Sequence, residues 1–247
     1  MIDGKKVYVG IIAYNAERTL ERVRRDIPDA VDYIVVSDDC SSDGTAALAR
    51  RLGLPLVAHE RNLGYGANQK SCYRFMLRDK PDAEIFVMLH GDFQYDPRRI
   101  PALVAPIAAG EADVVFGVRR HNLRRGGMPL YKIAGNKFLN ALENGVFGRR
   151  LADYSTGYKA YSRRVLEAID FSRNSDGFLF DEELNAQFMF RVLRVGMADV
   201  ETRYFDGASS AGFGASVKYG LGTLLVLMKY CLAKTGLARP RLFFPAE

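Results

Sequence analysis

The chain has 247 residues, 48% of them hydrophobic and 26% charged, so it can fold as one large or two small globular domains with a sizeable core. This composition argues against a disordered, collagen-like or low-complexity chain. The net charge of +6 is modest and no nucleic-acid-binding motif is recognised, so an anionic small substrate or a lipid surface suits the chain better than nucleic acid does.

Strands and helices alternate along the first half. Short apolar, β-branched runs predict strands at 7–13, 33–37, 54–58, 85–89 and 113–118. Helical patterning predicts helices at 17–25, 46–52 and 66–77, and another that begins at Pro97. This alternation predicts an α/β fold with a mostly parallel, doubly wound sheet flanked by helices. Ligands of such sheets bind beyond the carboxyl ends of the strands.

The second half has a different, α+β pattern. Its predicted elements are a basic loop at 119–125, helices at 131–147 and 181–195, strands at 154–162 and 199–204, and an apolar helix at 217–233. No composition break marks a linker, so we expect one domain over residues 1–247. Within it we distinguish a first half (1–118), a second half (119–213) and a C-terminal amphipathic helix and tail (214–247).

Cysteine usage and the N-terminus indicate the compartment. Cys40, Cys72 and Cys231 are odd in number and far apart, which disfavours a disulfide framework and a zinc–thiolate site and favours a reducing compartment. The charged start of the chain does not resemble a signal peptide, and no apolar run reaches the length of a membrane span. We therefore expect a cytoplasmic protein, with any membrane contact peripheral.

Polar residues follow several predicted strands and are the first candidates for a site. Tyr14 and Asn15 follow the first strand, and Asp38 and Asp39 follow the second. A carboxylate at Asp39 can accept a hydrogen bond from a base or a ribose hydroxyl. The alternative is that the acids of this turn only cap the next helix.

The segment 90–94 (HGDFQ) follows the fourth strand and is a candidate cation site. A carboxylate at Asp92 and an amide oxygen at Gln94 can both reach one hard cation, such as Mg²⁺ or Mn²⁺. The alternative is a solvated loop with an incidental acid. The glycines of the segment 62–66 (NLGYG) can let backbone amides approach a phosphate or a base, or can simply serve a loop that needs positive φ.

Charged residues of the second half supply further candidates. The arginines that can hold a diphosphate or lipid phosphate are Arg119, Arg120, Arg124 and Arg125, of which Arg119 directly follows the fifth strand. The carboxylates that can act as a general base are Asp153, Asp181 and Glu183. The alternatives are a solvated charge run for the arginines and a favourable interaction with the helix dipole for Asp181 and Glu183.

The last predicted helix carries lysines on one face and apolar residues elsewhere. Lys218 and Lys229 are three turns apart and enclose ten uncharged residues. The apolar surface can lie in a membrane interface, or it can pack on the sheet or on a second copy of the chain.

These segments, taken in order, resemble the family-2 glycosyltransferases of GT-A fold. The closest resemblance is to the polyprenyl-phosphate sugar transferases that are similar to dolichol-phosphate-mannose synthase. The segments that carry it are AYNAERTL (13–20), VVSDDCSSDGT (35–45), RNLGYGAN (61–68), HGDFQYDP (90–97) and DYSTGYKAYSR (153–163). The resemblance covers most of the chain, from Val7 to about Leu225, and the segments occur in the order and on the strands that the family pattern requires.

The resemblance implies a role for each candidate residue. The nucleotide-sugar-binding residues that it implies are Tyr14, Asn15, Asp39, Asn62, Gly64, Asp92 and Arg119. The metal ligands that it implies for Mg²⁺ or Mn²⁺ are Asp92, Gln94 and His90. The residues implied near the reacting centre are Asp153, Asp181 and Glu183.

Some positions depart from the family pattern. His90 stands where the family carries its first aspartate, and an imidazole prefers softer ions than magnesium. Ile12 replaces the usual proline, and Ala16 replaces an acid of the first loop.

The resemblance implies inverting, metal-dependent transfer of a sugar from a UDP- or GDP-sugar, with a polyprenyl phosphate as the expected acceptor. A lipid phosphate is already ionised at neutral pH and needs no base, whereas a hydroxyl acceptor needs a carboxylate base. Two alternatives stay open: a catalytically inactive nucleotide-binding relative, and a transferase that acts on a saccharide hydroxyl. A homo-oligomer is compatible with either.

Overall fold

The computed structural model describes residues 1–119, 130–191, 193–202 and 213–244. Three of the arginines predicted as phosphate-binding candidates, Arg120, Arg124 and Arg125, lie outside these ranges. The division of the chain at residues 118 and 213 stays a prediction.

The described residues form a seven-stranded mixed sheet, which confirms the predicted mostly parallel α/β architecture. The strands are β1 (Val7–Ala13), β2 (Tyr33–Asp38), β3 (Leu56–Ala58), β4 (Ile85–His90), β5 (Val114–Val118), β6 (Lys159–Ser162) and β7 (Val195–Asp199). Their order across the sheet is β3-β2-β1-β4-β6-β5-β7, and only β6 runs antiparallel to its neighbours.

Helices cover both faces of this sheet. The helices are α1 (Leu20–Asp26), α2 (Thr45–Arg51), α3 (Tyr65–Asp79), α4 (Ile100–Ala108), α5 (Leu130–Phe147), α6 (Arg163–Ala168), α7 (Phe180–Phe190) and α8 (Phe213–Lys234). Residues of β1 are divided between the two cores: Ile11 packs with the apolar side chains of α1, α2 and α4, whereas Ile12 packs with those of α3, α6 and α7. Burial on both faces explains why β1 is a continuous apolar run rather than an alternating one.

The antiparallel strand β6 brings the second half of the chain to the functional edge of the sheet. Lys159, the first residue of β6, lies opposite Met88 of β4 and Phe116 of β5. The residues that precede β6 therefore lie beside the carboxyl ends of β4 and β5. As a result Asp153 meets Arg119, although 34 residues separate them.

Three predicted elements of the second half have different bounds in the structure. The strand predicted at 154–162 begins only at Lys159, and the helix predicted at 181–195 ends at Phe190. The strand predicted at 199–204 begins where the observed strand β7 ends, at Asp199, and residues 203 and 204 lie outside the described ranges. Leu193, Val195 and Met197 fit either periodicity, and Gly196 disfavours a helix. Parallel pairing of β7 with β5 then satisfies the backbone of this segment.

Helix α8 packs on α5 and α7 and leaves an apolar stripe exposed. Its buried side chains include Val226, Leu227 and Tyr230, and the ring of Tyr230 packs edge-on against Phe147 of α5 at 4.8 Å. The exposed apolar side chains of α8 are Val217, Leu221, Leu224, Leu225 and Met228. No helix in the described part of the chain is both long and apolar enough to cross a membrane.

Two buried carboxyl groups meet where α5, α7 and α8 pack together. Glu143 and Glu182 are both buried, and the Tyr219 hydroxyl of α8 donates to Glu182. Burial, together with the negative charge of Glu182, raises the pKa of Glu143 to about 12. Glu143 therefore keeps its proton at neutral pH in the folded protein.

This retained proton predicts a pH dependence of stability. An unfolded glutamate has a pKa of about 4.3, so the contribution of Glu143 is full below that pH and declines as the pH rises towards the folded value. Glu143→Gln keeps a neutral side chain at every pH. We expect the variant to gain stability over the wild type between pH 5 and pH 8, as measured by urea unfolding at both pH values.

The matched control is Glu167→Gln, which removes an exposed carboxylate of a surface ion pair with Arg163. Its stability relative to the wild type should not change with pH over the same range. If the Glu143→Gln curve runs parallel to that of the wild type, Glu143 is ionised in the folded protein and the assignment is wrong.

Candidate functional site

The loops after β1 and β2 are joined to each other at the sheet edge. The Asn15 amide oxygen accepts a hydrogen bond from the Ser42 N–H (2.9 Å), and the Asn15 N–H donates to the Ser41 hydroxyl (2.8 Å). Asn15 adopts a left-handed φ of 52°, which asparagine tolerates better than most residues do. Beside it, the Tyr14 ring is 55% exposed. Asn15 thus orders the edge, and Tyr14 offers an aromatic face to solvent there.

Asp39 anchors the glycine-containing loop instead of capping a helix. Asp39 is 3% exposed, and its carboxylate accepts hydrogen bonds from the N–H groups of Leu63 and Gly64, both at 2.8 Å. The His59 ring contacts the same carboxylate at 2.7 Å. Asp43, four residues further along, lies at the start of α2 instead, where its carboxylate accepts from the Thr45 N–H at 3.0 Å. The nucleotide-binding role of Asp39 stays a prediction.

The glycines of the segment 62–66 allow close contact with another loop of the protein. Gly64 has φ = +101°, and a Cβ there would lie 2.7 Å from the Asp176 carbonyl oxygen. The Gly66 N–H donates to the same carbonyl at 2.6 Å. Asn62 is exposed, and its side-chain amide donates to the Asp39 carbonyl at 3.4 Å. The amides of Gly64 and Gly66 are therefore already engaged within the protein, and the predicted binding roles of Asn62 and Gly64 stay predictions.

Gly64→Ala is expected to destabilise the protein by about 2 kcal/mol, because the added Cβ meets a backbone carbonyl in a conformation that disfavours side chains. Urea unfolding measures this loss. The matched control is Gly145→Ala within α5, where a Cβ has nothing within 4 Å. That variant should gain up to about 1 kcal/mol from helix propensity. A Gly64→Ala protein as stable as the wild type would contradict the close approach of this loop to the Asp176 carbonyl oxygen.

His90 ends β4 within a group of aromatic rings. Its imidazole packs edge-on against Tyr95 (5.1 Å between ring centroids) and Tyr65 (5.6 Å). Burial lowers the pKa of His90, and the positive charges of Lys159 and Arg119 also lower it. The negative charges of Asp92 and Asp181 raise it, but the net pKa stays below the usual value. A lowered pKa favours the neutral ring, the form that can ligate a metal.

Asp92 lies at the tip of a tight turn after β4. Its carboxylate accepts from the Gln94 N–H at 3.0 Å, and Phe93 between them has a left-handed φ of 59°. Asp92 is partly exposed, whereas Gln94 is buried. Within the described ranges, no group of three or more His, Cys, Asp or Glu residues is placed to hold a metal ion. The metal-binding roles of His90, Asp92 and Gln94 stay predictions.

Arg119 and Asp153, predicted separately, form a two-pronged ion pair. The Nη2 group of Arg119 donates to Asp153 Oδ1 at 2.8 Å, and its Nε group donates to Oδ2. The same Nη2 group also donates to the Ser155 hydroxyl at 2.7 Å. Both charged groups are mostly buried, so the guanidinium is fixed in one orientation beside the end of β5.

Asp181, at the start of α7, is held by residues that the sequence did not single out. One carboxylate oxygen pairs with Lys159 Nζ at 3.0 Å, and the other accepts from the Tyr65 hydroxyl at 2.6 Å. Lys159 is completely buried. Its sequence signal is weak, because Lys159 begins a short strand of mixed polarity (KAYS).

Glu183, the third predicted acid, supports the loop that the glycines contact. Its carboxylate accepts from the Ser175 N–H, next to Asp176. Each of the three base candidates thus has a defined partner: a guanidinium for Asp153, an ammonium and a hydroxyl for Asp181, and a backbone amide for Glu183.

The sequence and the fold of this chain match known proteins. The model of glycosyl transferase family 2 matches residues 8–170. A UDP-N-acetylglucosamine–dolichyl-phosphate N-acetylglucosaminyltransferase of Methanococcus voltae is 23% identical, over 91% of this chain and 96% of its own. A polyprenol monophosphomannose synthase of Mycolicibacterium smegmatis is 29% identical, over 80% of this chain and 76% of its own.

Among solved structures, the glucosyl-3-phosphoglycerate synthase of Mycobacterium tuberculosis is similar over 92% of this chain and 80% of its own. The TM-score is 0.71 and the sequence identity is 19%. That structure contains Mn²⁺, UDP-glucose and phosphoglyceric acid. At this identity the likeness shows a shared fold.

Proposed function

Because the chain belongs to glycosyl transferase family 2, we propose that it transfers a sugar from a UDP- or GDP-sugar to a polyprenyl phosphate at the cytoplasmic face of the membrane. The chain is a glycosyltransferase and has the GT-A fold predicted from its sequence. The donor, the acceptor and the inverting, metal-dependent mechanism are parts of the proposal.

The proposal of a phosphate acceptor rests on one observation, which is that each of the three candidate base carboxylates already has a partner within the protein. A hydroxyl acceptor must lose a proton to a base, whereas a phosphate acceptor is already anionic. Asp153 is paired with Arg119, Asp181 with Lys159, and Glu183 with a backbone N–H. None of these three carboxylates is placed as an unengaged base, which favours an acceptor that needs none.

The residues after β4 suit a divalent cation that is shared with the donor. Mg²⁺ and Mn²⁺ commonly take one or two protein ligands and complete their shell with water and substrate phosphates. The partly exposed carboxylate of Asp92 and the neutral ring of His90 fit this arrangement, with Gln94 beside them. The ion would supply positive charge to the leaving diphosphate.

The remaining edge residues have proposed roles around the donor. The exposed ring of Tyr14 stacks on the base, while Asn15, Asp39, Asn62 and Gly64 shape the loops that surround it. Arg119, held by Asp153, faces the diphosphate or the acceptor phosphate. The acceptor oxygen attacks the anomeric carbon from the face opposite the diphosphate, so the configuration inverts.

A lipid acceptor requires contact with a membrane, and helix α8 offers a surface for it. The exposed apolar stripe of α8 can enter the interface, and the exposed Lys218 beside it can meet anionic headgroups. Both relatives described above are named for lipid-linked acceptors.

Vesicle sedimentation tests this surface. Leu221→Glu in the stripe should reduce binding to vesicles that contain anionic lipid. The control is Leu237→Glu, which changes a still more exposed leucine beyond the end of α8 and should bind as the wild type does. If Leu221→Glu binds these vesicles as well as Leu237→Glu does, the result contradicts a role for α8 in membrane binding.

The first experiment for the whole proposal is a melting-temperature panel of UDP- and GDP-sugars, with and without Mn²⁺ or Mg²⁺. A ligand that binds only the folded protein raises the melting temperature. A metal-dependent shift with one nucleotide selects the donor for transfer assays with polyprenyl phosphate and with a saccharide. Turnover only with the saccharide would favour the hydroxyl-acceptor alternative. Nucleotide binding without turnover on either acceptor would favour an inactive relative.

A further inference from the structure

A chain of hydrogen bonds links His90 to a buried ion pair. Lys159 Nζ lies 3.0 Å from Asp181 Oδ1, and Asp181 Oδ2 lies 2.6 Å from the Tyr65 hydroxyl oxygen. The Tyr65 oxygen in turn lies 3.2 Å from His90 Nε2. The four side chains come from four different elements, namely β6, α7, α3 and β4.

The direction of these hydrogen bonds follows from the number of protons. A tyrosine hydroxyl has one proton. The short contact with Asp181, a carboxylate paired with an ammonium, takes that proton. The Tyr65 oxygen therefore accepts from His90, and His90 Nε2 must carry the N–H.

We propose that Tyr65 and Asp181 fix His90 as the tautomer protonated on Nε2, so that its Nδ1 atom is a metal ligand beside Asp92 and the site prefers Mn²⁺ to Mg²⁺. This inference rests on the proposed metal-dependent function. It assigns Asp181 and Tyr65 as positioning residues that act through His90, and it removes Asp181 from the candidate bases.

The packing around the ring supports one fixed orientation. A Cβ at residue 157 would lie 2.5 Å from His90 Nε2 and 2.6 Å from Cε1, so only glycine leaves room for this edge of the ring. Tyr65 and Tyr95 pack edge-on against the imidazole. Among the residues that the structure describes, none forms a hydrogen bond with Nδ1. The lone pair of Nδ1 is thus available at the end of β4.

The metal preference follows from the ligand type. Mg²⁺ strongly favours oxygen ligands, whereas an imidazole nitrogen raises the affinity of a site for divalent transition metals. Among these transition metals Mn²⁺ is the one that binds most weakly. Histidine ligands usually donate their second N–H to a fixed acceptor, and loss of that acceptor costs about 10–100-fold in metal affinity. Here the acceptor is Tyr65, itself oriented by Asp181.

The first test needs no metal. Long-range proton–nitrogen NMR of the histidines distinguishes the two neutral tautomers, and His90→Asp identifies the signals of His90. We expect the Nε2-protonated tautomer in the wild type. The Nδ1-protonated tautomer would overturn the inference and leave the proposed function untouched.

The second test is pulsed EPR and titration of Mn²⁺ with UDP. We expect nitrogen coupling to Mn²⁺ in the wild type and none in His90→Asp, which should also bind Mg²⁺ relatively better. Tyr65→Phe should weaken Mn²⁺ binding by about 10–100-fold. Tyr8→Phe, which removes the hydroxyl of another buried tyrosine and its hydrogen bond to Asp82, is the control and should bind as the wild type does.

The outcomes separate the two proposals. Mn²⁺ that binds with UDP and depends on Asp92 but shows no nitrogen coupling overturns the inference and supports the proposed function. A folded protein that binds neither Mn²⁺ nor nucleotide overturns both. If Tyr65→Phe does not fold, the NMR tautomer and the wild-type nitrogen coupling still decide the inference.

Discussion

Asp92→Asn is expected to reduce sugar transfer by at least about 10³-fold, equal to about 4 kcal/mol of transition-state stabilisation. The amide removes the negative charge that would hold the cation against the donor diphosphate. The fold should survive, because Asp92 is partly exposed and an Asn oxygen can still accept from the Gln94 N–H. The measurement is initial-rate transfer of labelled sugar at saturating donor and metal, with a melting curve of the same preparation.

The matched control is Asp79→Asn, which changes an aspartate at the end of α3 that pairs with the adjacent, exposed Arg78. Its transfer rate and melting temperature should stay close to those of the wild type. Near-wild-type turnover by folded Asp92→Asn would remove Asp92 from the metal site. A parallel loss of transfer in Asp79→Asn would point to a general defect of charge or stability.

The placement of the candidate residues at the ends of the strands could be predicted from the sequence because its signals are local. The apolar runs at 7–13 and 85–89 identify buried strands, and each is followed directly by polar residues. Parallel pairing then brings those strand ends to one edge. The predicted α/β architecture and family are confirmed, since they depend on the order of these short segments.

The partners of the predicted acids could not be read from the sequence. Asp181 pairs with Lys159, 22 residues away, and with Tyr65, 116 residues away. These contacts depend on the antiparallel insertion of β6 next to β4, which no local pattern encodes. The same reason explains why the pairing of Asp153 with Arg119 emerges only from the fold.

The role of the glycine loop could not be predicted from the sequence for a different reason. A glycine near a predicted site suits either a ligand or another part of the protein, and the sequence of residues 62–66 fits both. In the structure the close approach at Gly64 and Gly66 is made by the backbone around Asp176. To decide between a ligand and a contact within the protein, one needs the position of the loop around Asp176, which lies about 110 residues further along the chain.

The ion pair between Lys159 and Asp181 is the buried interaction whose loss should cost most. Lys159→Met leaves the Asp181 carboxylate in a largely buried position without its ammonium partner. Breaking a buried pair from one side typically costs about 3–5 kcal/mol. For a chain of this size we expect a fall in melting temperature of roughly 10 °C. Thermal unfolding and urea unfolding at neutral pH measure the loss.

The control is the same substitution at Lys70, a comparably buried lysine of α3. Its partner carboxylate, on Asp176, is 65% exposed and stays hydrated when the lysine is removed, so Lys70→Met should cost clearly less. Adding Asp181→Asn to Lys159→Met removes the uncompensated charge and should recover part of the lost stability. Equal losses in Lys159→Met and Lys70→Met, with no recovery in the double variant, would mean that packing and not charge holds Lys159 in place. With recovery, the buried pair is what keeps Asp181 fixed beneath Tyr65 and His90.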